Sequence, residues 1–185
     1  MTHAERVALI RPGADGSTGA WADLGAGSGA FTLALAAVLG GSSRIYAVDS
    51  DAGSLRALAG DAVGLSPRIE VVHADFTGEL SLPPLDGILL ANSLHFQPDA
   101  AGVLAHAARW LTPGGRLIIV EYDIAAANPW VPYPLPWARL PAVAARAGFV
   151  EGRLLGTRPS RYHQRMYAAA FDAPAPEPRR MHTDE

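Results

Sequence analysis

The sequence predicts an α/β fold in which a doubly wound, mostly parallel sheet carries helices on both faces. Two observations support this expectation. Short runs of branched apolar residues alternate along the chain with longer helix-like segments, which is the pattern of parallel strands joined by crossover helices. The last two strand candidates, at 150–156 and 165–171, are separated by a loop too short for a crossover helix, so we expect an antiparallel hairpin.

Each of the other predicted strands is a short apolar run bounded by glycine, proline or aspartate, as buried strands are. These strands lie at 20–24, 44–48, 69–72, 87–91 and 116–122. Helices are expected at 29–39, 51–59, 98–111 and 138–147. The first helix is apolar nearly all round and is expected to be buried, Ser50 or Asp51 caps the second, and Asp99 lies near the start of the third. The run Thr112-Pro113-Gly114-Gly115 predicts a turn before the fifth strand.

Length and composition limit the class of protein. The chain has 185 residues, of which 49% are apolar and 18% charged, so it is long and apolar enough for one folded domain and is not a disordered chain. We expect a single domain at 1–171 and a flexible, proline-containing tail at 172–185. Lysine and cysteine are absent from the sequence, which excludes Schiff-base lysines, thiolate nucleophiles, disulfides and zinc–thiolate sites.

Charge and hydropathy bear on location and partners. The N-terminal residues are polar, and the longest apolar stretch, 31–39, is far shorter than the ~20 residues of a membrane span, so we expect a soluble cytoplasmic protein with no membrane partner. The net charge of −3 offers no general attraction to nucleic acid. Residues 1–138 are acidic overall and residues 139–180 are basic, which indicates either an arginine-bearing edge that meets an anionic ligand or simply solvated arginines.

The strongest local signal is the loop Asp23-Leu24-Gly25-Ala26-Gly27-Ser28-Gly29, between the first strand and the first helix. Glycines permit a tight turn and bring backbone N–H groups close to a ligand at a helix N-terminus. The loop also fits the fingerprint of dinucleotide-binding proteins, so by itself it does not choose between ligand classes. Asp23 would crowd a pyrophosphate but suits an ammonium group, which favours a cofactor that contains an amino acid.

Two further acids follow later strands. Asp49 ends the second strand, where a carboxylate accepts both hydroxyl groups of a ribose; alternatively it caps the next helix. Asp75 and Phe76 follow the third strand, where the acid suits an adenine amino group and the aromatic ring lies against the base. Taken alone, Asp75 would be an ordinary loop residue.

These motifs, with DGILLANSLH at 86–95 and LTPGGRL at 111–117, resemble the ordered motifs of class I S-adenosylmethionine-dependent methyltransferases. The resemblance covers about residues 20–171. It implies a seven-stranded sheet in the order 3-2-1-4-5-7-6 with strand 7 antiparallel, and S-adenosylmethionine as cofactor. It also implies that Asp23 contacts the methionine end, Asp49 the ribose, and Asp75 with Phe76 the adenine. The remaining expected cofactor-binding residues are Gly25, Ala26, Gly27, Gly29, Ser50 and Asn92.

The acceptor is expected beyond the carboxyl end of the fourth strand, at 92–96. There His95 is a candidate general base for an oxygen or nitrogen acceptor, or a residue that only shapes the pocket or caps the next helix. Methyl transfer needs little acid–base help, so a dedicated base is not required. Glu121 and Asp123 near His95 raise the idea of a bound metal, but their spacing is too loose, and no metal site is expected.

Two other segments offer acceptor contacts. The aromatic loop, defined as residues 128–137, holds four prolines and is expected either to wall the acceptor pocket, with Tyr133 as a candidate catalytic residue, or to pack as an ordinary lid. The turn at 158–163 concentrates positive and phenolic groups. Its Arg161 is a third catalytic candidate, which grips an anionic group on the acceptor or is merely solvated.

We therefore predict methyl transfer from S-adenosylmethionine to a small or medium-sized oxygen or nitrogen acceptor that carries an anionic group. The alternatives are a non-catalytic cofactor-binding module that supports a partner, a dinucleotide-dependent reductase, and a methyltransferase that acts on a macromolecule through an open face. About nineteen residues precede the first strand, so no helical lid is expected there, and the aromatic loop or a second subunit of a homodimer closes the site. The missing cysteines exclude cytosine C5 and thiolate-mediated arsenic methylation.

Overall fold

A single sheet of seven strands organises the chain, described here by a computed structural model that covers residues 1–160 and 165–174. The strands are β1 Ala20–Leu24, β2 Arg44–Asp49, β3 Arg68–His73, β4 Leu85–Ala91, β5 Leu111–Tyr122, β6 Val150–Pro159 and β7 Arg165–Asp172. Their order is β3-β2-β1-β4-β5-β7-β6. Strands β1 to β5 pair in parallel, whereas β7 is antiparallel to both β5 and β6. The predicted sheet order and the terminal hairpin are confirmed.

Five helices in the described part of the chain cover the two faces of this sheet. They are α1 His3–Ala14, α2 Ala30–Ala36, α3 Ala52–Asp61, α4 Ala100–Ala108 and α5 Leu140–Arg146. Helices α1, α2 and α3 pack on one face, and α4 and α5 pack on the other. No helix in the described ranges has both the length and the apolar character needed to cross a bilayer.

The core is divided into two layers by the alternation of side chains along each strand. On β1, Ala22 and Leu24 belong to the layer under α4 and α5, while Trp21 belongs to the layer under α1 and α2. The central strands are buried on both faces, which is why they are nearly continuous apolar runs in the sequence. This packing leaves polar side chains mainly at the strand ends, where Asp23 and Asp49 lie.

The turn predicted at 112–115 lies inside β5 rather than before it. Leu85 of β4 pairs with Leu111, and the next paired residues are Gly87 and Arg116, so the proline–glycine run forms a bulge between them. At its C-terminal end, β7 continues to Asp172, and the backbone N–H of Ala173 donates to the Gly115 carbonyl in this bulge at 2.8 Å. These residues therefore extend the sheet into the start of the predicted tail; residues 175–185 lie outside the described part of the chain.

Helix α1 corrects the expectation that no helical lid precedes the first strand, since its residue Arg6 lines a cavity described below. It begins with a capping box, in which the Thr2 hydroxyl accepts from the Glu5 N–H at 3.2 Å and the Glu5 carboxylate accepts from the Thr2 N–H at 2.6 Å. Its last turns pack on the sheet: Arg116 donates to the Gly13 carbonyl at 3.0 Å, and a Cβ at Gly13 would lie only 2.6 Å from Leu155. The C-terminal part of α1 is thus fixed against the sheet.

The close contact between β4 and β1 generates a stability prediction. A Cβ at Gly87 would lie 2.4 Å from the Trp21 ring, which is 1% exposed, so Gly87→Ala overpacks the core and is expected to lower the free energy of unfolding. The loss should be about 1–3 kcal/mol. Gly60→Ala is the control, because Gly60 lies in α3 where an added Cβ would meet no described atom within 4 Å, and there alanine should stabilise by about 0.5–1 kcal/mol. Urea unfolding measures both; a Gly87→Ala protein as stable as the wild type would contradict the packing.

Candidate functional site

The loop after β1 brings the chain close to the ends of β2 and β4. The N–H groups of Gly25 and Ala26 donate to the Val48 carbonyl at 2.9 and 3.0 Å, which ties the loop to β2. Gly25 has a positive φ of 81°, and a Cβ there would lie 2.4 Å from Ser93, just beyond β4. Only glycine allows this approach, so the predicted glycine loop is a packing requirement of the sheet edge.

Two cavities adjoin this loop. Cavity I, of about 300 Å³, includes Asp23, Ser28, Phe31 and Tyr122 in its lining. Cavity II, of about 460 Å³, includes the expected ribose and adenine residues. The residues common to both linings are Gly25, Gly27 and Asn92. A Cβ at Gly27 would meet no atom of the described residues within 4 Å, so the loop presents bare backbone to the space where the cavities meet.

Asp23 is a buried acid with an unsatisfied oxygen. It is 1% exposed, and its Oδ2 accepts a hydrogen bond from the Thr32 hydroxyl at 2.6 Å. Its Oδ1 has no partner among the described residues. Burial raises the pKa of Asp23 to about 7, the nearby charge of Asp49 adds to the rise, and the hydrogen bond from Thr32 opposes it. An ammonium group in cavity I would supply the missing partner and favour the ionised form.

Asn92 is a second buried acceptor at the junction of the cavities. It has a positive φ of 55°, and its N–H donates to the Val120 carbonyl at 2.9 Å. Its side-chain oxygen is buried without a partner in the described ranges. Two unsatisfied acceptors, on Asp23 and Asn92, therefore border one cavity, which fits a ligand that brings hydrogen-bond donors.

Asp49 holds the loop and remains available to a ligand. Its Oδ2 accepts from the Gly27 N–H at 2.7 Å, and its Oδ1 accepts from the Asp51 N–H at 2.8 Å. Each carboxylate oxygen has a further lone pair, so hydroxyl groups in cavity II can still donate to it. The alternative role as helix cap belongs to Asp51, whose side chain accepts from the Gly53 N–H at 2.7 Å. The neighbouring Ser50 also lines cavity II.

Asp75 and Phe76 line the same cavity. Asp75 is exposed, and one of its oxygens accepts from both the N–H and the hydroxyl of Thr77, at 2.9 and 2.8 Å. Phe76 is 9% exposed and lies below the loop, since a Cβ at Gly25 would be 3.4 Å from its ring. The acid and the ring thus stand at the position expected for an adenine site.

His95 is part of a buried polar cluster rather than of the lining of cavity I or II. Its Nδ1 donates to Glu121 Oε2 at 2.6 Å, and the other carboxylate oxygen accepts from the N–H groups of Leu94 and His95, both at 3.1 Å. The His95 ring also contacts the ring of Tyr122, with 5.7 Å between their centroids. Glu121 therefore fixes the turn that follows β4.

The aromatic loop is anchored to the α4–α5 face. The Tyr133 N–H donates to the His95 carbonyl at 3.0 Å, and the Tyr167 hydroxyl donates to the Leu135 carbonyl at 2.6 Å. Tyr133 is 48% exposed and borders a separate groove with Arg139 and Arg146. No residue of the loop, all of which is described, lines cavity I or II, which favours the packed-lid alternative. Arg161, the third catalytic candidate, lies outside the described residues.

The sequence did not identify the residues that α1 brings to the site. Met1 and Arg6 line cavity I together with Phe31 of α2 and Met166 of β7. The one available signal was the Thr2-x-x-Glu5 pattern of a helix start. Within residues 1–160 and 165–174, no three acidic or histidine side chains come together as a metal-binding group.

A protein-family model described as a methyltransferase domain matches residues 22–115, which include the glycine loop, Asp49, Asp75 and the turn after β4. The chain belongs to this methyltransferase family. It is an S-adenosylmethionine-dependent methyltransferase, and S-adenosylmethionine is its cofactor. The unsatisfied acceptors of cavity I and the acids of cavity II fit the two ends of that cofactor, an amino acid and an adenosine.

Solved structures share the fold of this methyltransferase. An arsenic (III) S-adenosylmethionine methyltransferase from Chlamydomonas reinhardtii is 21% identical, with a TM-score of 0.69 over 89% of this chain and 66% of its own. The YcgJ protein from Bacillus subtilis is 12% identical, with a TM-score of 0.72 over 94% of this chain and 100% of its own.

A Haemonchus contortus phosphoethanolamine N-methyltransferase, solved with phosphomonomethylethanolamine and S-adenosylhomocysteine, is 13% identical, with a TM-score of 0.74 over 92% of this chain. This chain spans only 52% of that enzyme's length. At these identities the likeness concerns the fold alone. A search of curated protein sequences found no match.

The burial of Asp23, whose Oδ1 has no partner among the described residues, generates a prediction of how stability depends on pH. Its pKa of about 7 in the folded methyltransferase lies above the unfolded value, so folding takes up a proton between about pH 4 and pH 7, and stability falls as pH rises through that window. Asp23→Asn removes the buried charge and should stabilise the cofactor-free protein at pH 8, on the order of 4 kcal/mol, with little effect below pH 4. Urea unfolding across this range measures the difference; equal stabilities at pH 8 would contradict it.

The same substitution should weaken binding of S-adenosylhomocysteine, although it stabilises the cofactor-free protein. Only ionised Asp23 can pair with an ammonium group, so wild-type affinity for S-adenosylhomocysteine should fall about tenfold per pH unit below pH 7. Asp23→Asn should bind weakly at every pH. Calorimetry at pH 6 and pH 8 tests both expectations.

Proposed function

We propose that this methyltransferase acts on an oxygen or nitrogen atom of a small or medium-sized acceptor that carries an anionic group. The observation that carries the proposal is the set of residues before and after the central strands that line cavity I but not cavity II. They are Arg6 of α1 with Met1 just before that helix, and Pro159 at the end of β6 with Ser160 just after it. A helix over the site leaves a cavity that suits a small molecule better than a macromolecular surface.

The space next to cavity I also suits a small or medium-sized acceptor. A further cavity of about 420 Å³ shares Met1, Pro159 and Ser160 with cavity I and continues past Thr2 and Glu5. The apolar residues Phe31, Tyr122 and Met166 line the inner part, which suits the body of an organic acceptor. An anionic group would lie towards Arg158 on β6, which forms no salt bridge with a described carboxylate, although Glu5 is close enough to interact with its charge.

In this proposal the chain's residues act mainly by binding and positioning. Bound S-adenosylmethionine would supply a methyl group from its sulfonium to a lone pair of the acceptor, with the carbon–sulfur bond broken and S-adenosylhomocysteine as the leaving group. Asp49 holds the ribose hydroxyls, Asp23 pairs with the ammonium group, and Asp75 with Phe76 frames the adenine. The glycine loop and α1 exclude water and align the reactants, which can supply several kcal/mol of the barrier reduction.

We assign His95 a positioning role, which differs from general-base catalysis and is nearer to the pocket-shaping alternative that the sequence left open. Its Nδ1 is bound to Glu121, its carbonyl accepts from Tyr133, and its ring packs against Tyr122 of cavity I. It thus links the ends of β4 and β5 to the aromatic loop. A general base would instead need to reach the acceptor proton.

The experiment for the proposed function is a panel of small hydroxyl and amine acceptors, each with and without a carboxylate or phosphate, assayed by release of S-adenosylhomocysteine. Turnover is expected with anionic small molecules.

Asp49→Ala should lower cofactor affinity at least about tenfold, because it removes charge-assisted hydrogen bonds to the ribose. Asp61→Ala, at the exposed end of α3, is the matched control and should keep wild-type affinity. Turnover restricted to RNA or protein acceptors would overturn the proposal.

His95→Asn separates positioning from base catalysis, since an asparagine N–H can still donate to Glu121. If His95 only positions, kcat of this variant should stay within about tenfold of the wild type. Loss of a general base would cost about 10²–10⁴-fold, and a loss of that size in a folded His95→Asn protein would refute the positioning role. Glu121→Ala breaks the buried pair and should lower stability by about 3–5 kcal/mol.

A further inference from the structure

Arg6 is a basic residue inside the site that no sequence motif indicated. It lies in the first half of α1, is partly buried, and lines cavity I together with Asp23 and Phe31. Its guanidinium carbon lies 5.9 Å from the centroid of the Phe31 ring. This cation–π contact places the guanidinium near the first turn of α2.

The charge of Arg6 forms no salt bridge with any carboxylate of the described residues. Other arginines on the same element or on the neighbouring strands do have carboxylate partners: Arg11 pairs with Asp15, and Arg165 pairs with Asp123. Among the described residues that line cavity I, the only charged side chains are those of Arg6 and Asp23. The positive charge of Arg6 is therefore available to a ligand in this cavity.

These two side chains do not satisfy each other. Asp23 Oδ1 is buried and has no hydrogen-bond partner in the described ranges, although Arg6 borders the same cavity. An unpaired guanidinium and a carboxyl group with one unsatisfied oxygen thus border one space of about 300 Å³. A ligand that carries both an ammonium group and a carboxylate would complement both charges at once, and an α-amino acid is such a zwitterion.

We propose that Arg6 binds the carboxylate of the cofactor's methionine end while Asp23 binds its ammonium group. Helix α1 is then a component of the cofactor site and not only a cover for the acceptor. This inference rests on the cofactor placement in the proposed function. The helix that carries Arg6 is anchored through its C-terminal part, where Leu9 and Ile10 are buried and Arg116 donates to the Gly13 carbonyl at 3.0 Å.

The test compares two ligands that share an adenosine thioether and differ in the amino acid. S-adenosylhomocysteine carries the ammonium and the carboxylate, whereas 5′-methylthioadenosine carries neither. In calorimetry, Arg6→Gln should weaken S-adenosylhomocysteine about 10–100-fold and leave 5′-methylthioadenosine unchanged, because a charge-assisted hydrogen bond is lost only with the former. Arg6→Lys should recover part of the loss, since lysine keeps the charge but not the planar fork.

Arg11→Gln is the matched control on the same helix, because Arg11 is exposed and paired with Asp15; it should bind both ligands as the wild type does. Unchanged affinity of Arg6→Gln for S-adenosylhomocysteine would overturn the inference, and so would an equal loss for both ligands, which indicates damage to the fold. If the wild type bound S-adenosylhomocysteine no more tightly than 5′-methylthioadenosine, the proposed binding of the amino-acid end by Arg6 and Asp23 would be wrong, while the adenosine site would stand. Binding of neither ligand would overturn the cofactor placement itself.

Discussion

The distance between the loop after β1 and the ends of β2 and β4 is the constraint on which the rest of the site depends. Gly25 must come within contact of Ser93, and the Gly27 N–H must reach Asp49, before the cavities on either side of the loop take shape. A side chain at Gly25 would push the loop away from β4 and separate Asp23 from Asn92. The glycines therefore act first through steric space at the sheet edge, and their exposure of backbone to a ligand is the consequence.

Two buried acids at this edge show how a structural carboxylate differs from a ligand-binding one. Glu121 is 1% exposed and accepts from three donors supplied by the turn at Leu94 and His95. Asp23 is equally buried but receives one hydroxyl donor and keeps an oxygen without a partner among the described residues. A buried charge that the protein leaves half satisfied costs stability, and such a cost is expected where a ligand completes the site.

Most of the fold could be predicted because its signals are local or periodic. The strands of the sheet are apolar runs, and the glycine loop and the acids that follow β2 and β3 lie at fixed positions along the chain. Helix α1 escaped prediction because its buried residues are confined to its last turns, from Leu9 onward, so no apolar stripe runs along it. The link between His95 and Glu121 joins residues 26 apart, one in the turn after β4 and one on β5, and only the sheet order brings them together.

The basic surplus of the C-terminal part has a structural explanation that narrows its functional meaning. Arg153 pairs with Asp172, and Arg165 pairs with Asp123, so part of this positive charge fastens β6 and β7 to each other and to the end of β5. Charges used in this way do not attract an acceptor. Arg158, next to Pro159 of the cavity I lining, forms no such salt bridge in the described part of the chain, although its charge interacts with Glu5. The proposal of an anionic acceptor therefore rests on this corner of the sheet and not on the net charge of the C-terminal part.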